Sequence, residues 1–143
     1  MRIRPAAVEE WGLLEDLQRR ASLEPGPYQE QLIAHPDAIA LPQEQIERGQ
    51  VMVAEFDGRI AGFAAVVQMD RGAELDGLFV DPEYSRQGIG SALVAEAVHE
   101  ARRQGLSLTV IASPEARLFY EKCGFTAEGD TETRFGPALI MSR

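Results

Sequence analysis

The stretch best suited to chemistry runs from Leu78 to Leu93, LFVDPEYSRQGIGSAL. A strand-like run ends at Val80, a polar turn follows, and Gly88-Ile89-Gly90 opens a helical pattern. A helix N-terminus carries unpaired N–H groups and a partial positive charge. Glycine lets an anion approach such a backbone closely, and Arg86 adds a full charge beside it. The bare reading is a cradle for a pyrophosphate; the competing one is a tight strand-to-helix turn. Upstream, Glu74 and Asp76 alternate on the same strand and so face one side. Carboxylates at that spacing raise each other's pKa when partly buried, which suits proton abstraction. The plainer alternative is a solvent-facing or cation-binding pair.

These residues need elements to hold them. Val51–Phe56 and residues 59–69 read as strands flanking Asp57-Gly58, a dipeptide that favours a type I′ hairpin turn with positive φ at both positions. Asp70-Arg71-Gly72 turns the chain into a third strand, 73–80. Residues 88–104 read as a helix with Ile89, Leu93, Val94 and Ala97 on one face and Gly105 as its stop. A buried-strand run at 106–112 follows, then a helix capped by Ser113 with Pro114 at its first position, ending at Gly124. Residues 125–143 read as a last hairpin. Before the meander, residues 2–5 form a short strand and 8–21 an amphipathic helix on Trp11, Leu14, Leu17 and Ala21. Residues 22–28 are breakers; 29–48 are ambiguous, a loop followed by a short helix ending near Gly49. The order β-α-(α)-β-β-β-α-β-α-β-β predicts a mixed α/β sheet in one domain, 1–143.

A dinucleotide fingerprint requires a third Gly or Ala where Leu93 stands, and a P-loop requires Gly-Lys-Ser/Thr, which is absent. VDPEYSRQGIGSAL instead resembles the acyl-CoA-binding motif of the GNAT N-acetyltransferases, Gln/Arg-x-x-Gly-x-Gly/Ala after a strand. ARLFYEKCGF, at 116–125, resembles that family's later Ala-x-x-Phe-Tyr-x-x-x-Gly-Phe segment. The resemblance covers nearly the whole chain. It implies the GNAT acyl-CoA N-acyltransferase fold, acetyl-CoA as cosubstrate without a metal, and direct transfer of acetyl to a primary amine of a small molecule or peptide. By resemblance, Phe79 and Val80 pair with the pantetheine arm, while Ser85, Arg86, Gln87, Gly88, Ile89, Gly90 and Ser91 form the pyrophosphate site. The strand is bulged around Gly77-Leu78, and the Leu78 amide faces the acetyl oxygen. Glu74 aligns with the family's strand glutamate, a general base acting directly or through water, with Asp76 as the alternative. Tyr120 matches the tyrosine that protonates or hydrogen-bonds the thiolate. Two positions depart from the pattern: Ser85 replaces Gln or Arg, and Ser113 stands where many members have an Asn near the pantetheine. The Ser113 hydroxyl either partly replaces that amide or serves only as a helix cap. A second reading, a CoA-binding module without catalysis, shares the pyrophosphate turn but needs neither Glu74 nor Tyr120.

Composition narrows the partners. A net charge of -9 argues against nucleic acid, which requires clustered Lys and Arg, and suits a cationic acceptor or simply solubility. No apolar run approaches the roughly 20 residues of a membrane span, and the N-terminal stretch lacks a signal-peptide core. The single Cys123 fits a reducing cytoplasm and reads as a packed residue rather than a nucleophile. His35 and His99 show no metal-ligand spacing and read as surface or structural residues. Whether the chain forms a homodimer stays open. Residues 22–49 are the expected acceptor-specificity segment, with Pro25, Gly26, Pro27 and Tyr28 as wall candidates.

Overall fold

A computed structural model describes residues 1–26 and 28–143. Among them, β1 (Arg2–Pro5), β2 (Val51–Phe56), β3 (Arg59–Gln68), β4 (Ala73–Val80), β5 (Leu108–Ala112), β6 (Thr126–Thr133) and β7 (Gly136–Ser142) form one mixed sheet. Its strand order is β1-β2-β3-β4-β5-β7-β6, and β4–β5 is the parallel contact. Asp57 and Gly58 take φ of 53° and 75°, as the type I′ turn requires. β5 starts two residues later than the sequence suggests. Leu106 N–H instead closes the preceding helix by donating to the Ala101 carbonyl (2.9 Å), beyond Gly105 at φ 73°.

Among the described residues, five α-helices flank the sheet: α1 (Trp11–Ser22), α2 (Gln29–Ala34), α3 (Gln43–Glu47), α4 (Ile89–Arg103) and α5 (Arg117–Lys122). The ambiguous segment resolves into α2, a 3₁₀ turn at Pro36–Ala38, and α3. The first turn of the predicted 8–21 helix is also 3₁₀ (Val8–Glu10). One core lies under α4 and α5, built on Ile89, Leu93, Val94, Ala97, Leu108, Tyr120 and Met141. The other lies under α1 and α3, where Leu14, Leu17, Ile46, Val53 and Phe63 pack together. Trp11 Nε1–H donates to the Leu41 carbonyl (2.7 Å), tying α1 to the stretch before α3.

A second fastening joins β1, β2 and the entry to α1. The Arg4 guanidinium donates to Glu10 Oε1 and Oε2 (2.9 and 2.7 Å) and pairs with Glu55. Glu10 also accepts the Ala7 N–H at 2.8 Å. The Arg4 hydrogen bond holds the Glu10 carboxyl below the usual carboxylate range.

Gly62 lets α4 lie close to the sheet. A Cβ there would sit 2.8 Å from the Phe79 carbonyl oxygen and 3.2 Å from both Ile89 and Leu93. Close approach, rather than an unusual dihedral, is what glycine supplies at this position.

Candidate functional site

β4 carries the centre of the site. Ala65 pairs with Gly77 and Val66 with Leu75, so Asp76 is an extra, unpaired residue: a bulge. The irregularity falls one residue earlier than the expected Gly77-Leu78 position. It resets the strand's alternation. Ala73 and Leu75 face the α4 core before the bulge, and Leu78 and Val80 face it afterwards. Phe79 turns to the other side and packs on Phe63, with ring centroids 5.3 Å apart.

Backbone direction follows the same frame. Asp81 N–H donates to the Ala61 carbonyl of β3 at 2.8 Å. Because successive residues point their backbone groups to opposite edges, Phe79 is also turned to β3, and the amides of Leu78 and Val80 point away from it. They point into a gap. β4 and β5 pair only at Ala73–Leu108 and Glu74–Thr109 and then diverge. Of the two residues expected to pair with the pantetheine arm, Val80 therefore has its main chain free and Phe79 spends its own on β3. The Leu78 amide, expected to face the acetyl oxygen, opens onto the same gap.

Glu74 and Asp76 lie on the face away from α4, as their alternation predicts. Gln45 Nε2–H of α3 donates to Asp76 Oδ2 at 2.9 Å. Burial first, and the Asp76 charge second, push the half-buried Glu74 carboxyl above the ordinary glutamate range. Tyr120 lies on the opposite face in the α4 core, 8% exposed, edge-on to Phe119 and Phe125. Burial raises its phenol to about 12, so the hydroxyl stays protonated as a donor.

The turn into α4 has an unusual backbone. Arg86 has φ 62°, and Gly88, at the helix N-cap, has φ 76°. Ser85, Arg86, Gln87, Gly88 and Ser91 are exposed, while Ile89 is buried as an anchor. A Cβ on Gly88 would meet nothing within 4 Å, so its positive φ is what demands glycine. A Cβ on Gly90 would sit 3.4 Å from Phe119 and 3.6 Å from Val80; this second glycine packs the helix against α5 and β4.

The expected cap at Ser113 is not formed. Ser113 precedes a 3₁₀ turn (Pro114–Ala116), and its side chain makes no cap hydrogen bond. The turn is closed by the backbone alone, Ala116 N–H to the Ser113 carbonyl at 3.0 Å. Ser113 borders a hollow of about 160 Å³ with Tyr28, Ile111, Thr133, Phe135 and Ala138. Tyr28 was an expected wall residue; Pro27 lies outside the described residues. Phe135 was missed. It sits in the β6–β7 turn, 6.1 Å from the His35 ring, next to Arg134, which donates to Asp37 at 3.0 Å. An aromatic between Arg134 and Gly136 in a hairpin turn was the available signal.

Residues 26–140 match the family model described as an acetyltransferase (GNAT) domain. The chain is 36% identical over 83 residues to the uncharacterized N-acetyltransferase YafP of Escherichia coli K12, covering 58% of this chain and 50% of that protein. It thus spans half that relative's length. It is 33% identical over 96 residues to the 5-NmdU N-acetyltransferase of Pseudomonas phage PaMx11, covering 65% of this chain and 69% of that one. In fold it resembles the PaiA N-acetyltransferase of Thermoplasma acidophilum, solved in complex with coenzyme A. The TM-score is 0.79 at 24% identity, over 99% of this chain and 97% of that one. The chain belongs to the GNAT acetyltransferase family.

Among the described residues, no helix is long and apolar enough to cross a membrane.

Proposed function

We propose that residues 1–143 act as one N-acetyltransferase domain that moves acetyl from acetyl-CoA directly to a primary amine of a small molecule or peptide. The observation that carries this reading is the divergence of β4 from β5, which leaves the Leu78 and Val80 amides open beside a positive-φ turn at the start of α4. The residues fit the coenzyme. An extended arm needs an unpaired strand edge, a pyrophosphate needs converging N–H groups at a helix start, and both lie end to end here. Val80 would pair with the arm. Residues 85–91 would hold the pyrophosphate, and the uncapped Ser113 hydroxyl would be free to meet the arm.

Acetyl-CoA supplies an activated acyl group as a thioester. Glu74, direct or through one water, takes the proton from the acceptor ammonium or amine; its raised pKa moves it toward useful basicity. The amine nitrogen forms the new C–N bond as the C–S bond breaks. The Leu78 N–H donates to the carbonyl oxygen, where charge builds up. The Tyr120 hydroxyl donates to the departing sulfur. With the phenol at about 12 and a thiol near 8.5, complete proton transfer would cost roughly 5 kcal/mol, so a hydrogen bond is the favoured form of help. The hollow bounded by Tyr28, Ile111 and Phe135 is the proposed acceptor wall.

The test is calorimetric titration with acetyl-CoA followed by thiol release against a panel of amines. Micromolar or tighter binding with amine-dependent thiol release is expected. Binding without release from any amine would instead favour a non-catalytic CoA-binding module.

A further inference from the structure

We infer that Arg20, on α1, is a positioning residue for the coenzyme turn, acting through Asp81. The inference rests on the coenzyme reading above. The turn itself is poorly secured. Ser85, Arg86, Gln87 and Gly88 are exposed, and Arg86 takes φ 62°, a region costly for a residue with a side chain. Its shape must be imposed from the segment before it.

That segment is Asp81–Tyr84, and three contacts pin it. Asp81 N–H donates to the Ala61 carbonyl of β3 at 2.8 Å. The Tyr84 ring packs edge-on to Phe56 at 5.8 Å. The third contact is Arg20 Nη2–H donating to Asp81 Oδ2 at 2.7 Å. The other carboxylate oxygen, Oδ1, accepts the Glu83 N–H at 3.0 Å and so shapes the 3₁₀ turn Pro82–Tyr84.

Asp81 is buried, at 7% exposure, whereas Arg20 is half-exposed. A buried carboxylate without its partner swings toward solvent or draws in water. Either movement loosens the Glu83 N–H bond and passes directly into residues 85–88. Arg20 and Asp81 both line a cavity of about 390 Å³ between α1 and the β2–β3 hairpin, so the ion pair borders open space rather than close packing. The contact spans 61 residues of sequence, joining the first helix to the coenzyme turn.

The experiment compares wild type, Arg20→Met and Arg20→Lys in the full chain. CoA affinity is read by calorimetry, amide exchange at Glu83 by NMR without ligand, and KM and kcat with an active amine. Arg20→Met should bind CoA about tenfold more weakly, the scale of one charge-assisted hydrogen bond. It should raise KM for acetyl-CoA while sparing kcat at saturation, and speed exchange of the Glu83 amide. Arg20→Lys should recover much of the affinity. Wild-type CoA affinity in Arg20→Met, with the wild type binding normally, would overturn the inference. Failure of the wild type itself to bind CoA would overturn the coenzyme reading on which it rests.

Discussion

Gly62→Ala tests how the fold holds the proposed coenzyme edge in place. The new Cβ would stand 2.8 Å from the Phe79 carbonyl oxygen and 3.2 Å from Ile89 Cγ2 and Leu93 Cδ1. The two side-chain ends can give by a few tenths of an ångström. The carbonyl cannot move alone, because it belongs to the β4 main chain that pairs with β3. Overpacking of this kind costs about 1–3 kcal/mol. With an unfolding entropy of roughly 2.1 cal/mol/K per residue, a chain of 143 residues loses about 3–10 °C in Tm. The displaced segment, Phe79–Val80, borders the β4–β5 gap, so KM for acetyl-CoA should rise several-fold with little change in KM for the amine. Differential scanning calorimetry and steady-state kinetics check both effects. Gly12→Ala is the control: a Cβ there meets nothing within 4 Å, and alanine suits the first turn of α1, so Tm should hold or rise. If Gly62→Ala melted with the wild type and kept its KM, close packing under α4 would not be what fixes that edge.

Two further outcomes concern the site and a third the fastening at Glu10. Tyr120→Phe should lower kcat by about tenfold or more while leaving CoA affinity nearly unchanged, since only a donor to the leaving sulfur is lost; unchanged turnover would reduce Tyr120 to packing. Glu74→Gln should depress the rate most at low pH and recover at high pH, where free amine is already present. The wild-type acid limb should lie above the ordinary glutamate range, because burial raises Glu74; a pH-independent loss would indicate acceptor binding instead. Glu10 is held below its ordinary 4.5, so its contribution is present above that pH and is lost as pH falls through the lower folded value. Urea melts of wild type and Glu10→Gln should therefore differ by about 1 kcal/mol at pH 7 and converge as pH falls below the ordinary glutamate range; a constant gap would contradict the assignment.

The elements legible in the sequence were those whose cause is local. Asp57-Gly58 adopts its turn because the two residues tolerate positive φ, and Gly88-Ile89-Gly90 opens α4 because the turn before it needs a left-handed residue. The helical stripe of Leu14 and Leu17 was equally plain, and both are buried. What sequence hid was non-local. The helices within 29–48 are short pieces with no marginal stability of their own, fixed by Trp11 on Leu41 and by Gln45 on Asp76. Ser113 had the right type for a cap, but the 3₁₀ geometry after Pro114 leaves its hydroxyl unused. The Arg20–Asp81 pair has no sequence signature at all, because neither residue's type or spacing points to the other.

The bulge at Asp76 shows how one extra residue orders the site. Without it, strict alternation from Ala73 and Leu75 would send Phe79 into the α4 core and turn Val80 toward Phe63. With it, Leu78 and Val80 enter the core that holds Tyr120, and their amides open toward β5. Glu74 stays on the other face, beside Asp76. In the proposed reaction this separates the base from the hydrogen-bond donor to sulfur by the thickness of the sheet. The amine approaches from the Glu74 face, which Gln45 and the 22–49 segment border. The sulfur leaves on the Tyr120 face, under α5, and the acyl carbon lies between them in the gap. A carboxylate and a phenol on one face would hydrogen-bond to each other; on opposite faces, each meets only the group it serves. Asp76 is thus better placed to set the frame of β4 and the charge around Glu74 than to take the proton itself, since its carboxylate already accepts from Gln45.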